Sequence, residues 1–188
     1  MSTTLLSLLE AAPFLNRGDI GVLPTDTVYG LVTIARSEQA VTRMYALKSR
    51  EKKPGTLIAA NGSQLETLGV PREEIDKISQ WWPNPLSAVL SMNGNEYLHQ
   101  GVGDIAMRVV ADPLVRELLL ITGPLITSSA NLPGEPESKT IDDAERYFGE
   151  SVDFYVDGGE ISSRVPSTII RPRNGDIEIL RQGSIAIH

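Results

Sequence analysis

Short apolar runs separated by polar turns dominate the chain, and their periods predict a mixture of strands and helices. Apolar pairs at Leu5, Leu8, Leu9 and Ala12 share a helical face and predict a helix over residues 4–16, which Pro13 breaks or restarts and Gly18 ends. Two apolar runs, 20–23 and 28–35, predict strands on either side of Pro24-Thr25-Asp26-Thr27. Ser37 is placed to cap a helix reaching residue 48, with Val41, Met44 and Tyr45 facing inward.

Further along, a strand is predicted over 56–60, a short helix over 64–68 capped by Ser63, and a helix over 71–82 opened by Pro71. Pro83-Asn84-Pro85 turns the chain into a strand over 86–92, followed by a strand over 105–110. Asp112 and Pro113 form an N-cap and N1 pair for a helix that Gly123 stops after Ile121. A strand over 125–127 precedes a helix over 140–148 with Asp142 and Asp143 in its first turn. Strands over 152–156, 167–171 and 177–181 close the chain, the last two joined by Asn174-Gly175. Strands and helices do not alternate strictly. The fold class expected is α/β (α+β): a twisted mixed sheet with helices packed on it.

Composition narrows the function. The 188 residues fit one domain over 1–188, with 41% apolar and 22% charged residues. No apolar run is long enough for a bilayer, and the N-terminus lacks the basic region of a signal peptide, so a cytoplasmic protein without a membrane partner is expected. With no cysteine and two histidines, thiolate metal sites, disulfides and a cysteine nucleophile are excluded, and a Ser-His-Asp triad would have to use His99. A net charge of −7 opposes indiscriminate nucleic-acid binding, while positive charge gathers at Lys48, Arg50, Lys52 and Lys53 and again at Arg171, Arg173 and Arg181. Such islands suit a small anionic ligand, although a charge run is commonly a solvated loop.

Four polar clusters end apolar strands: Thr25-Asp26-Thr27, 127–131, Pro166-Ser167-Thr168 and Arg181-Gln182-Gly183. Converging strand ends of this kind bind carboxylates and phosphates through hydroxyls, amides and arginines. They offer no nucleophile or general base, so positioning and charge stabilisation are the chemistry expected. There is no Walker-type phosphate loop. Taken singly, Thr27 and Thr127 are equally accounted for by local backbone bonds, and Arg50 by a surface position. Arg108 stands inside an apolar strand, where an unpaired guanidinium is costly.

The motifs Pro24-Thr-Asp-Thr-Val-Tyr-Gly-Leu31, Lys48-Ser-Arg50, Trp82-Pro-Asn-Pro-Leu86, Arg108, Ser129-Ala-Asn131, Pro166-Ser-Thr-Ile169 and Leu180-Arg-Gln-Gly183 occur in this order. The ordered set resembles the TsaC/YrdC family, in its short single-domain form. The resemblance implies a YrdC-like sheet with a large concave cleft. It implies an L-threonylcarbamoyladenylate synthase, a nucleotidyltransferase that makes threonylcarbamoyl-AMP and pyrophosphate from L-threonine, bicarbonate or CO2, and ATP. The product serves tRNA N6-threonylcarbamoyladenosine modification through a partner transferase complex. Mg²⁺, held mainly by the ATP phosphates, is the implied cofactor, with no protein metal site.

By motif position, the resemblance assigns Thr27, Arg108, Thr127 and Ser167 to threonine. It assigns Lys48, Arg50, Lys53, Ser129, Asn131 and Arg181 to ATP, with Lys48 and Arg50 as the catalytic pair. Arg108 is expected to grip the carboxylate bidentately. The loop after Arg50 is one residue shorter than the family spacing, Asn84 replaces a glycine and is expected to tolerate a positive φ there, and Pro133 and Asp104 replace hydroxyl residues. Gly55 is a candidate hinge. The alternative reading is a paralogue that acts as an RNA- or nucleotide-binding module, with tRNA or double-stranded RNA in the cleft.

Overall fold

Among the described residues, ten strands join into one sheet, and the alternation of side chains along them decides where the core lies and where it stops. The computed structural model describes residues 4–49, 52–173 and 175–187. The strands are β1 (Thr4–Leu6), β2 (Gly21–Pro24), β3 (Tyr29–Ile34), β4 (Thr56–Ala59), β5 (Leu86–Ser91), β6 (Asp104–Val109), β7 (Leu125–Ser129), β8 (Phe154–Val156), β9 (Thr168–Arg173) and β10 (Asp176–Arg181). Their spatial order is β1-β8-β2-β3-β7-β4-β6-β5-β9-β10. The β4·β6 and β5·β9 pairs are parallel, while β3·β7, β4·β7 and β5·β6 are antiparallel, so the sheet is mixed as expected.

The helices are α1 (Ala12–Arg17), α2 (Glu38–Leu47), α3 (Gly62–Glu66), α4 (Arg72–Asp76), α5 (Glu96–His99), α6 (Pro113–Thr122) and α7 (Ile141–Phe148). Local signals explain most of their ends. The Ser37 side chain accepts from the Ala40 N–H, and Asp112 accepts from Leu114 and Val115 ahead of Pro113. Thr140 and Asp143 form a reciprocal capping box. Gly18 ends α1 in the left-handed region at φ 89°.

Several expectations are corrected. Residues 4–6 form β1, paired in parallel with β8, so α1 begins only at Ala12, with Pro13 in its first turn. A tertiary partner at the sheet edge outweighs the helical spacing of the leucines. Asn61, not Ser63, caps α3. The helix expected over 71–82 stops at Asp76 and resumes as a 3-10 turn, Ser79–Trp81. Asn84 is not among the positive-φ residues; its side-chain amide instead donates to the Trp81 carbonyl at 2.8 Å, which braces the turn. The short α5 has no counterpart in the sequence reading, and Asn174 of the final turn lies outside the described residues. His99 is buried, with Nδ1 accepting from the Gly103 N–H at 3.0 Å, a structural role rather than one in a triad.

Two apolar clusters divide the sheet. On one face, Leu31, Leu57, Met107 and Ile126 pack with residues of α2, α3, α4, α5 and α7. On the other, Val32, Ile34, Ile58 and Leu125 pack under Leu15 of α1 and Val115, Leu118 and Leu119 of α6. That second cover reaches only part of its face.

Tyr155 of β8 is buried, and its hydroxyl donates to the Gly149 carbonyl at 2.9 Å. Burial pushes its pKa up to about 12, and the Glu145 carboxylate adds to the shift. A raised acid favours the neutral phenol in the fold. Its contribution is therefore complete below the unfolded value near pH ~10 and is lost as pH climbs through the folded one. Denaturant titrations across this range are expected to show stability falling, with a shallower fall for Tyr155→Phe.

Candidate functional site

Beyond the reach of α1 and α6, the same sheet face continues as a row of small residues. Thr127, Thr56 and Ala106 are Cα partners across β7, β4 and β6, and Gly30 of β3 faces Ser129. Short side chains in register across neighbouring strands leave a depression. It forms a cavity of about 190 Å³ that brings together Thr25, Thr27, Thr127, Ser129, Ser167 and Arg181 with Arg108 and Glu137. All four polar clusters thus reach one cavity.

Backbone approach at the glycines shapes it. A Cβ on Gly30 would lie 2.4 Å from Thr127 Oγ1. One on Gly55 would lie 2.6 Å from the Thr127 carbonyl oxygen, and the Gly55 N–H donates to the Tyr45 hydroxyl at 3.0 Å. Gly55 is therefore a packed point of close approach, and the hinge expected there is corrected.

The first cluster fulfils both readings of its residues. Thr25 closes the turn on itself: its hydroxyl donates to the Val28 carbonyl at 2.7 Å and accepts from the Thr27 N–H at 3.2 Å. Arg164 clamps it from outside through the Thr25 carbonyl. Thr27 faces the cavity. Asp26, to which the sequence assigned nothing, forms a buried ion pair with Arg108; the two side chains are 3% and 4% exposed. Arg108 Nη2 donates to Asp26 Oδ1 at 2.6 Å and to Thr27 Oγ1 at 3.2 Å, and Nε donates to Oδ1 at 3.0 Å. The Nε–Nη2 edge is therefore occupied from within. A bidentate grip on a ligand by that edge is corrected, and Nη1 is the nitrogen left to meet one. The cost of a lone guanidinium in an apolar strand was the signal that Arg108 needed such a partner.

Arg181 spans the opposite wall. Its Nη2 donates to the Ser167 carbonyl at 2.7 Å and to Ser167 Oγ at 3.2 Å, and Ser167 Oγ lies 3.0 Å from Ser87 Oγ. Burial pushes the Arg181 guanidinium below its ordinary value, the Glu137 carboxylate draws it back up, and Arg108 lowers it further. Arg181, expected on the nucleotide side, stands here beside Thr27, Thr127 and Ser167.

A second cavity of about 280 Å³ adjoins the first and shares Ser129 with it; Lys48, Lys53, Asn131 and Pro133 also line it. Lys48 is buried at 3% exposure beneath this wall. Its Nζ donates to the Ser129 carbonyl at 2.8 Å, to Asn131 Oδ1 at 3.0 Å and to the Asn131 carbonyl. Ser129 Oγ donates to Asn131 Oδ1 at 2.7 Å. Lys48 therefore fixes the Ser-Ala-Asn turn and supplies a positive charge under it. Lys53 is exposed, with its N–H donating to Gln100 Oε1 at 2.7 Å. Arg50 lies outside the described residues. Among the described residues, no three His, Asp or Glu side chains gather to hold a metal ion, and no helix is long and apolar enough to cross a membrane.

Residues 13–183 match the Sua5/YciO/YrdC family, whose description reads "Telomere recombination". A threonylcarbamoyl-AMP synthase of Stutzerimonas stutzeri is 32% identical over 173 residues, covering 89% of this chain and 94% of its own. One of Pseudomonas aeruginosa is 37% identical over 166 residues, covering 85% and 89%. Among solved structures, P. abyssi Sua5 complexed with L-threonine superposes with a TM-score of 0.85 at 28% identity, over 96% of this chain and 58% of that one. The chain thus spans about three fifths of that protein. E. coli YciO superposes with a TM-score of 0.82 at 20% identity over 97% of this chain and 96% of its own, a likeness of fold.

Proposed function

Because the chain belongs to the Sua5/YciO/YrdC family, we propose that it is an enzyme that makes threonylcarbamoyl-AMP and pyrophosphate from L-threonine, CO2 or bicarbonate, and MgATP. The observation that carries this reading is the pair of adjoining cavities, one lined by arginines and hydroxyls and one by the Ser-Ala-Asn turn, meeting at Ser129. An amino acid in the first and a nucleotide in the second bring a carbamate oxygen against an α-phosphorus. The reaction class is nucleotidyl transfer. Residues 1–188 are read as one domain of this kind, acting in the cytoplasm and supplying tRNA threonylcarbamoylation through a partner transferase complex.

Thr27, Thr127 and Ser167 offer hydroxyl oxygens to threonine, and Arg108 Nη1 and Arg181 offer charge to its carboxylate. Ser129 and Asn131 contact nucleotide, with Lys53 and Arg50 near the phosphates. Lys48 acts through its buried charge, which offsets negative charge building on the phosphates without leaving the Ser-Ala-Asn turn. Mg²⁺ enters with ATP as part of the substrate. The donor set suits that arrangement, since Asp26 is committed to Arg108 and Mg²⁺ keeps water and phosphate oxygens alongside one or two carboxylates at most.

The direct test is incubation with L-threonine, bicarbonate, MgATP and pyrophosphatase. Threonylcarbamoyl-AMP is the expected product; no product beside an active control enzyme removes the proposal. Lys48→Met is expected to loosen the Ser-Ala-Asn turn and raise the KM for ATP about tenfold or more, the worth of one charge-assisted hydrogen bond. An unchanged KM for ATP contradicts its assigned part.

A further inference from the structure

Glu137 is the one acidic side chain among the described residues that line the first cavity. The sequence assigned it no part. It is half-buried and has no hydrogen bond or ion pair among the described residues. The charge it acts on is Arg181, whose guanidinium it draws back up against the effect of burial.

The backbone around it is fixed. The Ser138 N–H donates to the Ala130 carbonyl at 3.2 Å, and the Ser138 hydroxyl donates to the same oxygen. The Tyr147 hydroxyl donates to the Pro136 carbonyl at 3.0 Å, and Asn131 Nδ2 donates to the Glu135 carbonyl at 2.6 Å. A carboxylate is therefore held at the wall of a cavity whose other charged groups are Arg108 and Arg181. Hydroxyls and arginines can bind the carboxylate of an amino acid. Its ammonium group needs an anion, and Asp26 is already spent on Arg108.

We propose that Glu137 holds the α-ammonium group of the amino-acid substrate and accepts its first proton. This rests on the first cavity being the amino-acid site. Only the free amine is a nucleophile toward CO2. The proton passes from nitrogen to a Glu137 carboxylate oxygen. The nitrogen lone pair then forms the N–C bond while one C=O π pair moves onto oxygen. The second N–H proton leaves to solvent, so the nitrogen is neutral and the new carbamate carries one negative charge. Glu137 returns its proton to water when the cavity empties. A carboxylate at hydrogen-bond reach of the amine combines binding with general-base catalysis.

Calorimetric titration of the parent protein and Glu137→Gln with L-threonine, and with 3-hydroxybutanoate, which lacks the amine, tests this. The variant is expected to bind L-threonine about tenfold or more weakly, the worth of a charge-assisted hydrogen bond, and 3-hydroxybutanoate as the parent does. Its turnover is also expected to rise steeply with pH between about pH 7 and pH 9, as solvent takes over deprotonation of the amine, against a flatter parent profile. Equal threonine affinity in parent and variant, or an equal loss for the amine-free analogue, overturns the assignment of Glu137 alone. A parent that binds no L-threonine overturns the proposed function and this inference together.

Discussion

Arg108→Ala is expected to lower the melting temperature by roughly 10 °C and to raise the KM for threonine about a hundredfold. The stability loss follows from the partner left behind. Asp26 is 3% exposed, and its carboxylate faces Arg108 across 2.6 Å. Removing one member of a buried pair strands the other charge, at a cost of about 3–5 kcal/mol. For a protein of this size that corresponds to roughly 2–4 °C per kcal/mol. The binding loss has a second source, since Arg108 also donates to Thr27 Oγ1 and so orients a cavity hydroxyl. Adding Asp26→Ala to the variant is expected to recover much of the stability, because no charge then remains buried, while threonine binding stays lost. Melting curves for the single and double variants beside a threonine titration separate the two effects. A single variant that melts within a degree or two of the parent contradicts the account of the pair.

Gly30→Ala is expected to abolish most threonine-dependent activity while leaving the protein folded. The new Cβ falls 2.4 Å from Thr127 Oγ1, and Thr127 has little freedom to turn aside because its χ1 is restricted. The collision lies at the cavity rather than in the apolar clusters, so the loss is concentrated in binding. A drop in kcat/KM for threonine of about a hundredfold equals about 2.7 kcal/mol, in the range seen for overpacked sites. Thr127→Ala on the same chain removes the colliding oxygen, and threonine affinity is expected to stay lost because the cavity hydroxyl goes with it. Near-parental activity in Gly30→Ala would sink the claim that this glycine sets the cavity floor.

The mixed sheet and the helix ends at Gly18, Ser37 and Asp112 were legible in the residues, while the polar clusters only suggested a shared cleft and the structure brings them together. Ser37, Asp112 and Thr140 act on backbone groups two or three residues away, so their effect is written locally. The N-terminal strand was not legible, because β1 exists only through pairing with β8, almost the whole chain away. The site divides in the same manner. Thr27, Thr127, Ser167 and Arg181 were found from their place at strand ends, and the structure brings them to one cavity. Asp26 and Glu137 were missed as contributors since their meaning lies in what faces them, Arg108 in one case and Arg181 in the other. The hidden partner of Arg108 was implied by its apolar strand; nothing local marked Glu137. Lys48 was found for its charge and turned out to be held by three oxygens of the Ser-Ala-Asn turn.

The two cavities share Ser129 in their walls. On the proposed reaction the substrates arrive as separate molecules and leave, pyrophosphate aside, as one. The joined product occupies both compartments through a short covalent link, so releasing either half leaves the other as a tether at high effective concentration. Its dwell time should therefore far exceed that of threonine or ATP alone. A labile acyl adenylate that lingers in its place of synthesis is sheltered from water until a downstream acceptor draws it off, which makes departure, rather than bond formation, the step at which traffic through this protein is metered.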